Sequence, residues 1–461
     1  ASNDRVFIIG SDKGKRQLAS TDLSGEARRV HATGDLVNDY IVSPDGLYVA
    51  FRQNYEAFVM PLMPGGQDIS ADSKGGPLPV TRASGEGADF IHWSGGGSNG
   101  GSKLHWSLGP TLFTAATDTL FAAAPAAADA GKSLGFTPPT AGVSLSMDVL
   151  ADKPTGSIVL TGARIVTMAS KDGGIIDDGT IVITGDRIVA IGKRGSVSIP
   201  AGARSIDVAG KTIIPGLVDA HAHGPQGDDL LVPQQNWDTM ANLAMGTTTI
   251  HDPSSRAAEI FVASELQRAG KILAPRIFST GEIIYGARQA DVYADINSYA
   301  DALAHVRRLK AQGAHSVKNY NQPRREQRQM VVAAAQAEGL EVVPEGGSLY
   351  TMDVSLIADG NSTVEHNVPL DRFYADLVSF WSQSRTNYTP TLVVTYGGPA
   401  GDPYWRQHMD VWKHPLLSRH APPALLAAQN VRRAMAAEED LVDAASARVA
   451  KKPAARGAQV S

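Results

Sequence analysis

Two histidines with one residue between them, His221 and His223, close the short run Gly216-Leu217-Val218-Asp219-Ala220. Leu217 to Ala220 reads as a short buried strand, with Pro215-Gly216 in front of it. On a strand, side chains two apart face the same side. Both imidazoles would then point to one place, as the first two ligands of a divalent metal must. Three more residues that can bind a cation stand at the ends of short apolar runs: Lys318 in Ser316-Val317-Lys318-Asn319-Tyr320, Glu345 in Val342-Val343-Pro344-Glu345-Gly346-Gly347, and His366 in Thr363-Val364-Glu365-His366-Asn367. Taken singly, each has a plainer reading. The histidine pair could be an ordinary polar strand end, Lys318 a solvated charge, Glu345 a turn acid, and Glu365-His366 a local hydrogen-bonded pair. Tyr320 would touch a substrate or pack in its own loop. His251-Asp252 would point into the same place, or Asp252 would cap the helix that follows. The chain has no cysteine, so thiolate ligands and disulfides are excluded, and His, Asp, Glu and modified Lys remain as donors.

The runs that carry these residues belong to a repeating pattern of helix, glycine and short strand. Pro233 to Met245 places Trp237, Met240, Ala241 and Ala244 on one helical face, and Gly246 and the strand Thr247 to Ile250 follow. Ser255 to Ala269 leads through Gly270 to Arg276-Ile277-Phe278-Ser279. Tyr299 to Gln312 leads through Gly313 to Ser316-Val317-Lys318. Arg324 to Glu338, entered through Pro323, leads through Gly339 to Glu341-Val342-Val343, and Met352 to Asp359 leads through Gly360 to Ser362-Thr363-Val364. Glycine suits the left-handed position that closes a helix. Tyr388 to Val394 reads as a seventh strand, Val431 to Ala450 as a helix, and Gly457 to Ser461 as the start of an eighth strand. Alternating β and α units predict a parallel sheet, and eight of them predict a (β/α)8 TIM barrel over residues 216–461 that lacks most of its eighth strand. In such a barrel the C-terminal strand ends form the site, where His221, His223, Lys318, Glu345 and His366 fall. An open doubly wound sheet is the alternative, although no glycine-rich dinucleotide fingerprint follows the first strand.

Upstream, Gly156 to Pro215 reads as strands again, with Gly185-Asp186-Arg187 as a hairpin turn. It is expected to be an incomplete small β-sandwich over 151–215. Residues 1–150 read as all-β. Tyr40-Ile41-Val42, the turn Ser43-Pro44-Asp45-Gly46 and Leu47 to Phe51 make a hairpin. A second copy spans Phe90 to Ser94 and Lys103 to Ser107. At roughly 40–45 residues per repeat this segment holds about three propeller blades, fewer than the roughly four that close a ring. A lone β-sandwich is the alternative. Ala124 to Lys132 is expected to be a loop or linker.

At 461 residues the chain has room for two or three domains. Its net charge is −5 with both signs interspersed, which argues against a nucleic-acid partner and a polybasic membrane anchor. No run reaches the roughly 18 apolar residues of a membrane span. The sequence opens at Ala1-Ser2-Asn3-Asp4 without a signal-peptide pattern, and a start inside a longer protein is left open.

Two resemblances attach to these motifs. The Ser43-Pro44-Asp45-Gly46 hairpin resembles the TolB-type β-propeller repeat. The β unit running into Ile214-Pro215-Gly216-Leu217-Val218-Asp219-Ala220-His221-Ala222-His223 resembles the metal-dependent amidohydrolase superfamily over about 157–461, nearest to its imidazolonepropionase- and prolidase-like members. That resemblance implies metal binding by His221, His223 and His366, and a carbamylated Lys318 that bridges two metals. Glu345 stands where the family has a histidine. The ion implied is a divalent metal, zinc foremost, as one or two ions. The reaction implied is hydrolysis of C–N bonds other than ordinary peptide bonds, or of dipeptide-like amides, by metal-activated water. The family's eighth-strand aspartate would lie beyond Ser461, so the chain is expected to be truncated at both ends and inactive as it stands. The other readings are a non-catalytic scaffold that binds a protein partner through its propeller, and a sugar-directed barrel using Glu345 and Glu365. The TolB likeness points to a bacterial periplasmic or secreted protein. Substrate and homo-oligomeric state stay open.

Overall fold

The structure, a computed structural model, describes residues 4–96, 101–122, 136–169, 174–289, 292–347, 349–392, 404–428, 435–441 and 443–460. The first part is built from hairpins: β1 (Arg5–Asp12), β2 (Lys15–Asp22), β3 (Arg29–Gly34), β4 (Val37–Val42), β5 (Tyr48–Gln53), β6 (Glu56–Pro61), β7 (Ile69–Ser70), β8 (Thr81–Arg82), β9 (Asp89–Ser94), β10 (Lys103–Leu108), β11 (Thr111–Ala116) and β12 (Val143–Ser144), with a single helical turn, α1 (Thr117–Leu120). They form three four-stranded sheets, β1-β2-β3-β7, β4-β5-β6-β8 and β9-β10-β11-β12. The number of sheets equals the number of repeats that the hairpin spacing implies. Apolar faces stack in succession: Leu18, Val37, Phe51 and Met60 fill the space between the first two sheets, and Val59, Ile91, Leu104 and Trp106 that between the second and third. In the Ser-Pro-Asp-Gly turn the Ser43 hydroxyl donates to Asp45 at 2.6 Å, and Asp45 also accepts from Ser102 at 2.6 Å, which ties the turn to the next sheet. The alanine-rich 124–132 stretch, expected to be a linker, lies outside the described residues.

A five-stranded sheet follows: β13 (Ser157–Val166), β14 (Ile175–Thr184), β15 (Arg187–Lys193), β16 (Arg204–Asp207) and β17 (Thr212–Ile213). Where a small sandwich was expected there is one sheet. Ala163, Ile165 and Ile181 are buried on it, while Ile188, Val189 and Ile191 of β15 are exposed.

The remainder alternates. Strands β18 (Leu217–Asp219), β19 (Thr247–Asp252), β20 (Arg276–Ser279), β21 (Ser316–Asn319), β22 (Glu341–Pro344), β23 (Thr363–Glu365) and β24 (Asn387–Thr389) are separated by α2 (Trp237–Ala244), α3 (Ala257–Arg268), α4 (Tyr299–Gln312), α5 (Arg325–Glu338), α6 (Tyr350–Ala358) and α7 (Ala375–Ser382). The chain then continues through α8 (Tyr404–His408), α9 (Pro415–His420), α10 (Pro423–Ala428) and α11 (Asp443–Ala455). No helix among the described residues is long and apolar enough to cross a membrane.

The strands pair in parallel in chain order. β18-β19-β20 form one sheet, β21-β22 a second and β23-β24 a third. Backbone hydrogen bonds carry the order across the gaps: His315 N–H to the Ser279 carbonyl at 3.4 Å, and Ser362 N–H to the Val342 carbonyl at 3.0 Å, with the Val342 N–H donating back to the Ser362 hydroxyl at 2.9 Å. At the far end Tyr388 bridges in parallel to Val460 in the expected eighth position. Among the described residues nothing pairs with the free edge of β18, so no closed ring is seen. This explains one departure from the sequence reading: Leu217 and Val218, expected to be buried, are 51% and 64% exposed. The core lies between the array and its helices, with Ile260, Val306, Leu309, Val317, Val331 and Val342 in one cluster and Leu356, Val364, Trp381 and Tyr388 in another. Burying each such side chain contributes roughly 1.5–3 kcal/mol.

Candidate functional site

The array curls, and the site shows how far. Five strand spacings of about 4.8 Å would hold the ends of β18 and β23 roughly 24 Å apart in a flat sheet. Instead Nδ1 of His221, just past β18, lies 2.5 Å from Oε2 of Glu365, the last residue of β23. The His221 ring is 5.0 Å from that of His223 and 4.8 Å from that of His366, centroid to centroid. Three imidazoles from two distant parts of the chain are therefore gathered at one end of the array.

Local structure explains how each arrives. β18 ends at Asp219, so the two histidines stand beyond the strand. Their segment still runs beside β19, because the Ala222 N–H donates to the His251 carbonyl at 2.9 Å and the Asp219 carboxylate accepts from the His221 N–H at 3.1 Å. Ala222 is buried between them. His223 is the more exposed of the pair, and its Nδ1 lies 3.6 Å from buried Asp252. Asp252 also accepts from the Ser254 N–H at 2.8 Å, a turn within its own loop; it does not cap the following helix, whose N-cap position is Arg256. His251 does not reach the group of three. It is a pin between strands, with Nε2 2.7 Å from the Ser316 hydroxyl and Nδ1 3.3 Å from the Ala220 carbonyl. Burial lowers its pKa and keeps it neutral.

Glu365 and His366 are consecutive, so on a continuing strand their side chains would point to opposite faces. His366 breaks the alternation. Its φ is +64°, in the left-handed region that L-residues seldom enter. The turn brings both side chains to the site: Glu365 reaches His221, and His366 Nε2 lies 3.0 Å from Glu345 Oε1. The plainer reading, in which Glu365 and His366 pair with each other, does not hold. Gly346 and Gly347 make the close approach feasible. A Cβ at Gly346 would collide with the Glu365 carbonyl, and one at Gly347 would sit 2.7 Å from the His366 Cβ.

Lys318 is not a solvated charge. Its side chain is 2% exposed, and Nζ lies 2.9 Å from Glu345 Oε2. Glu345 thus accepts from Lys318 on one oxygen and from His366 on the other. Burial alone would raise its pKa, but the His366 hydrogen bond and the Lys318 charge outweigh that and hold it at about 2. Tyr320 covers this pair, its ring centroid 5.5 Å from Lys318 Nζ and 4.8 Å from the Tyr285 ring in an edge contact. Burial raises its pKa.

All five residues singled out as metal-binding candidates therefore belong to one connected group. Their nitrogen and oxygen donors are of the kind a zinc-class cation takes. Among the described residues no three His, Asp or Glu side chains are already disposed as a metal cage. Instead the donors satisfy one another, His221 with Glu365 and Glu345 with Lys318 and His366.

The sequence reading missed Asp353 in α6. It is 1% exposed, accepts from the Gly347 N–H at 3.1 Å, and its Oδ2 has no hydrogen-bond partner among the described residues. Burial raises its pKa to about 6. A signal was present: Asp353, Leu356 and Ile357 share the buried helix face, so an acid occupies a core position.

Comparison with known proteins gives partial likenesses. No protein-family model matches the chain. A stretch of 170 residues is 31% identical to the imidazolonepropionase of Sphingopyxis alaskensis, covering 34% of this chain and 41% of that protein. The chain thus matches less than half the length of this curated relative. Among solved structures, a putative prolidase from Bifidobacterium longum is 24% identical over 52% of this chain and 62% of its own, with a TM-score of 0.44. A Xaa-Pro dipeptidase with bound methionine is 17% identical over 66% of this chain and 78% of its own, at 0.45. Phenylurea hydrolase B is 17% identical over 66% and 74%, also at 0.45.

Proposed function

We propose that the whole protein is a metal-dependent hydrolase of C–N bonds in small amides or dipeptide-like substrates, built on an amidohydrolase-type barrel that follows blades of a TolB-type propeller. The observation that carries this reading is the meeting of His221, His223 and His366 at one end of a curled parallel array, beside the Lys318–Glu345 pair. The 170-residue likeness to an imidazolonepropionase supports it.

His221, His223 and His366 would hold the cation, with Glu345 as the carboxylate donor and Lys318, once carbamylated, as a further oxygen donor. Zinc is the expected ion, as one or two. A cation bound there supplies Lewis acidity: it brings the pKa of water down to about 7 and polarises the scissile carbonyl. The chain's own residues do the rest. Before a cation binds, Glu345, ionised across the whole neutral range, holds the Lys318 ammonium and His366 at the site. Tyr320 and Tyr285 form an aromatic wall beside Lys318 against which an apolar substrate group can lie.

The test is zinc titration of the chain by calorimetry, with His221→Ala and His366→Ala alongside. Saturable zinc binding that either substitution weakens at least tenfold is expected. Zinc binding that both variants retain unchanged would overturn the reading.

A further inference from the structure

Glu365 is a charged group of the site, in direct contact with a candidate ligand, to which the reading above gives no part. Its residue is 1% exposed, and the only side-chain hydrogen bond described for it is the one to Nδ1 of His221, a side chain itself 5% exposed. The contact joins residues 144 positions apart, and the left-handed turn at His366 ends the strand there, freeing the two neighbours to serve different partners. A carboxylate buried against a neutral imidazole accepts a hydrogen bond from its N–H. The nitrogen facing Glu365 is then Nδ1–H, and the lone pair lies on Nε2.

We infer that Glu365 is a positioning residue, which fixes the ring and the Nδ1–H tautomer of His221 so that Nε2 is presented, unprotonated, to a divalent cation. Glu365 itself does not touch the ion. Neutral imidazole can hold its proton on either nitrogen, and a ring free to flip offers the donor nitrogen only part of the time. An outer carboxylate that removes this freedom is worth about 10- to 100-fold in metal affinity. The inference rests on the metal reading for its purpose, but its claim about His221 holds in the metal-free protein and is measured there.

The experiment labels the chain with 15N-histidine and reads tautomers from the long-range nitrogen–proton pattern of the metal-free protein at neutral pH, with the His221 signals assigned by their loss in His221→Gln. His221 is expected as the Nδ1–H tautomer in the parent chain. In Glu365→Ala it is expected as the Nε2–H form or a mixture. Glu365→Asp withdraws the carboxylate by one methylene without opening a large cavity, and serves if the alanine variant fails to fold; the same direction of change is expected. Zinc calorimetry on the same samples should show a 10- to 100-fold loss in both variants, with unchanged zinc stoichiometry. An Nε2–H tautomer in the parent, or a tautomer that neither substitution alters, would overturn the inference. Failure of the parent chain to bind zinc would instead strike the metal reading and leave the tautomer result standing, so the two failures are distinguishable.

Discussion

His366 pays for its place with its backbone. A non-glycine residue at φ +64° costs of order 1–3 kcal/mol, and such strain persists where the surroundings impose it. Asparagine enters the left-handed region more readily than alanine. His366→Asn should therefore be more stable than His366→Ala by roughly 0.5–1 kcal/mol in urea unfolding, while both lose zinc affinity alike. Equal stabilities would mean that the turn imposes no strain. Asp353 carries a pH dependence of its own. Its folded pKa, raised to about 6 by burial, lies above the ordinary aspartate value of 3.8. Between those values the folded state holds a proton that the unfolded state has released, so stability falls as pH rises through that window. Asp353→Asn keeps an acceptor for the Gly347 N–H and removes the titration. It should stabilise the protein by roughly 2–3 kcal/mol at pH 7, and by little at pH 3.5. Urea unfolding at the two pH values decides, and an equal effect at both would refute the burial argument. The sequence exposed the site's ligand types because each follows a short apolar run. It could not expose the pairing. That Glu365 takes His221 rather than His366 depends on one backbone angle, and no residue type at position 366 announces it.

The helices and strands between α2 and β23 were readable because each signal was local. Tyr299–Gln312 and Arg276–Ser279 run as the sequence predicts, and the glycine after α4 and the one after α5 are left-handed, at φ +115° and +73°. Gly339 closes α5 with nothing within 4 Å of where a Cβ would stand, so only conformation opposes a side chain. Gly339→Ala should cost about 1 kcal/mol, read by thermal unfolding with the zinc affinity unchanged. A loss of zinc affinity would show that the end of α5 is coupled to the site. Beyond β23 the pattern fails. Of the helix expected over Val431 to Ala450, 431–434 and 442 lie outside the described residues, and the part found is α11, Asp443–Ala455, which includes Pro453. Of the seventh strand, expected over Tyr388 to Val394, the described residues pair only over Asn387–Thr389, and 393–394 lie outside them. α7 was not anticipated: its eight residues, Ala375–Ser382, close without a glycine, at Gln383. The exposure of β18 was equally hidden, because a strand's burial depends on what lies on both its edges, and its own residues specify neither.

How the three sheets of the first part meet the α/β part was not legible at all, because the joint is made of single polar side chains scattered over the sequence. Its centre is Arg308 of α4. The side chain is 3% exposed, its guanidinium lies 3.7 Å over the Tyr55 ring, and Nη1 donates to Glu282 and to Gln312 at 3.2 Å each. Gln312 donates in turn to Asp89 at 2.7 Å, and Asp89 pairs with Arg52 at 3.0 Å. Tyr55, Asp89 and Arg52 belong to the sheets, whereas Glu282 belongs to the segment after β20. One chain of contacts, buried at Arg308 and half-buried at its polar partners, therefore crosses from one part to the other. Around it, Arg288–Asp35 at 2.8 Å and Arg307–Glu86 at 3.5 Å are solvent-exposed ion pairs, which water and salt screen and which add little to stability. Deleting one partner of a buried, hydrogen-bonded charge leaves the others unpaired and costs about 3 kcal/mol or more. Arg308→Met, which keeps much of the volume, should thus lower stability by about 3 kcal/mol. In calorimetry it should also divide the unfolding of the chain into two transitions, as the sheets lose their hold on α4. Arg288→Ala should leave stability close to that of the parent chain and the unfolding profile undivided. If Arg308→Met unfolds with the same profile as the parent chain, the joint is not held by this contact, and the apolar faces alone keep the parts together.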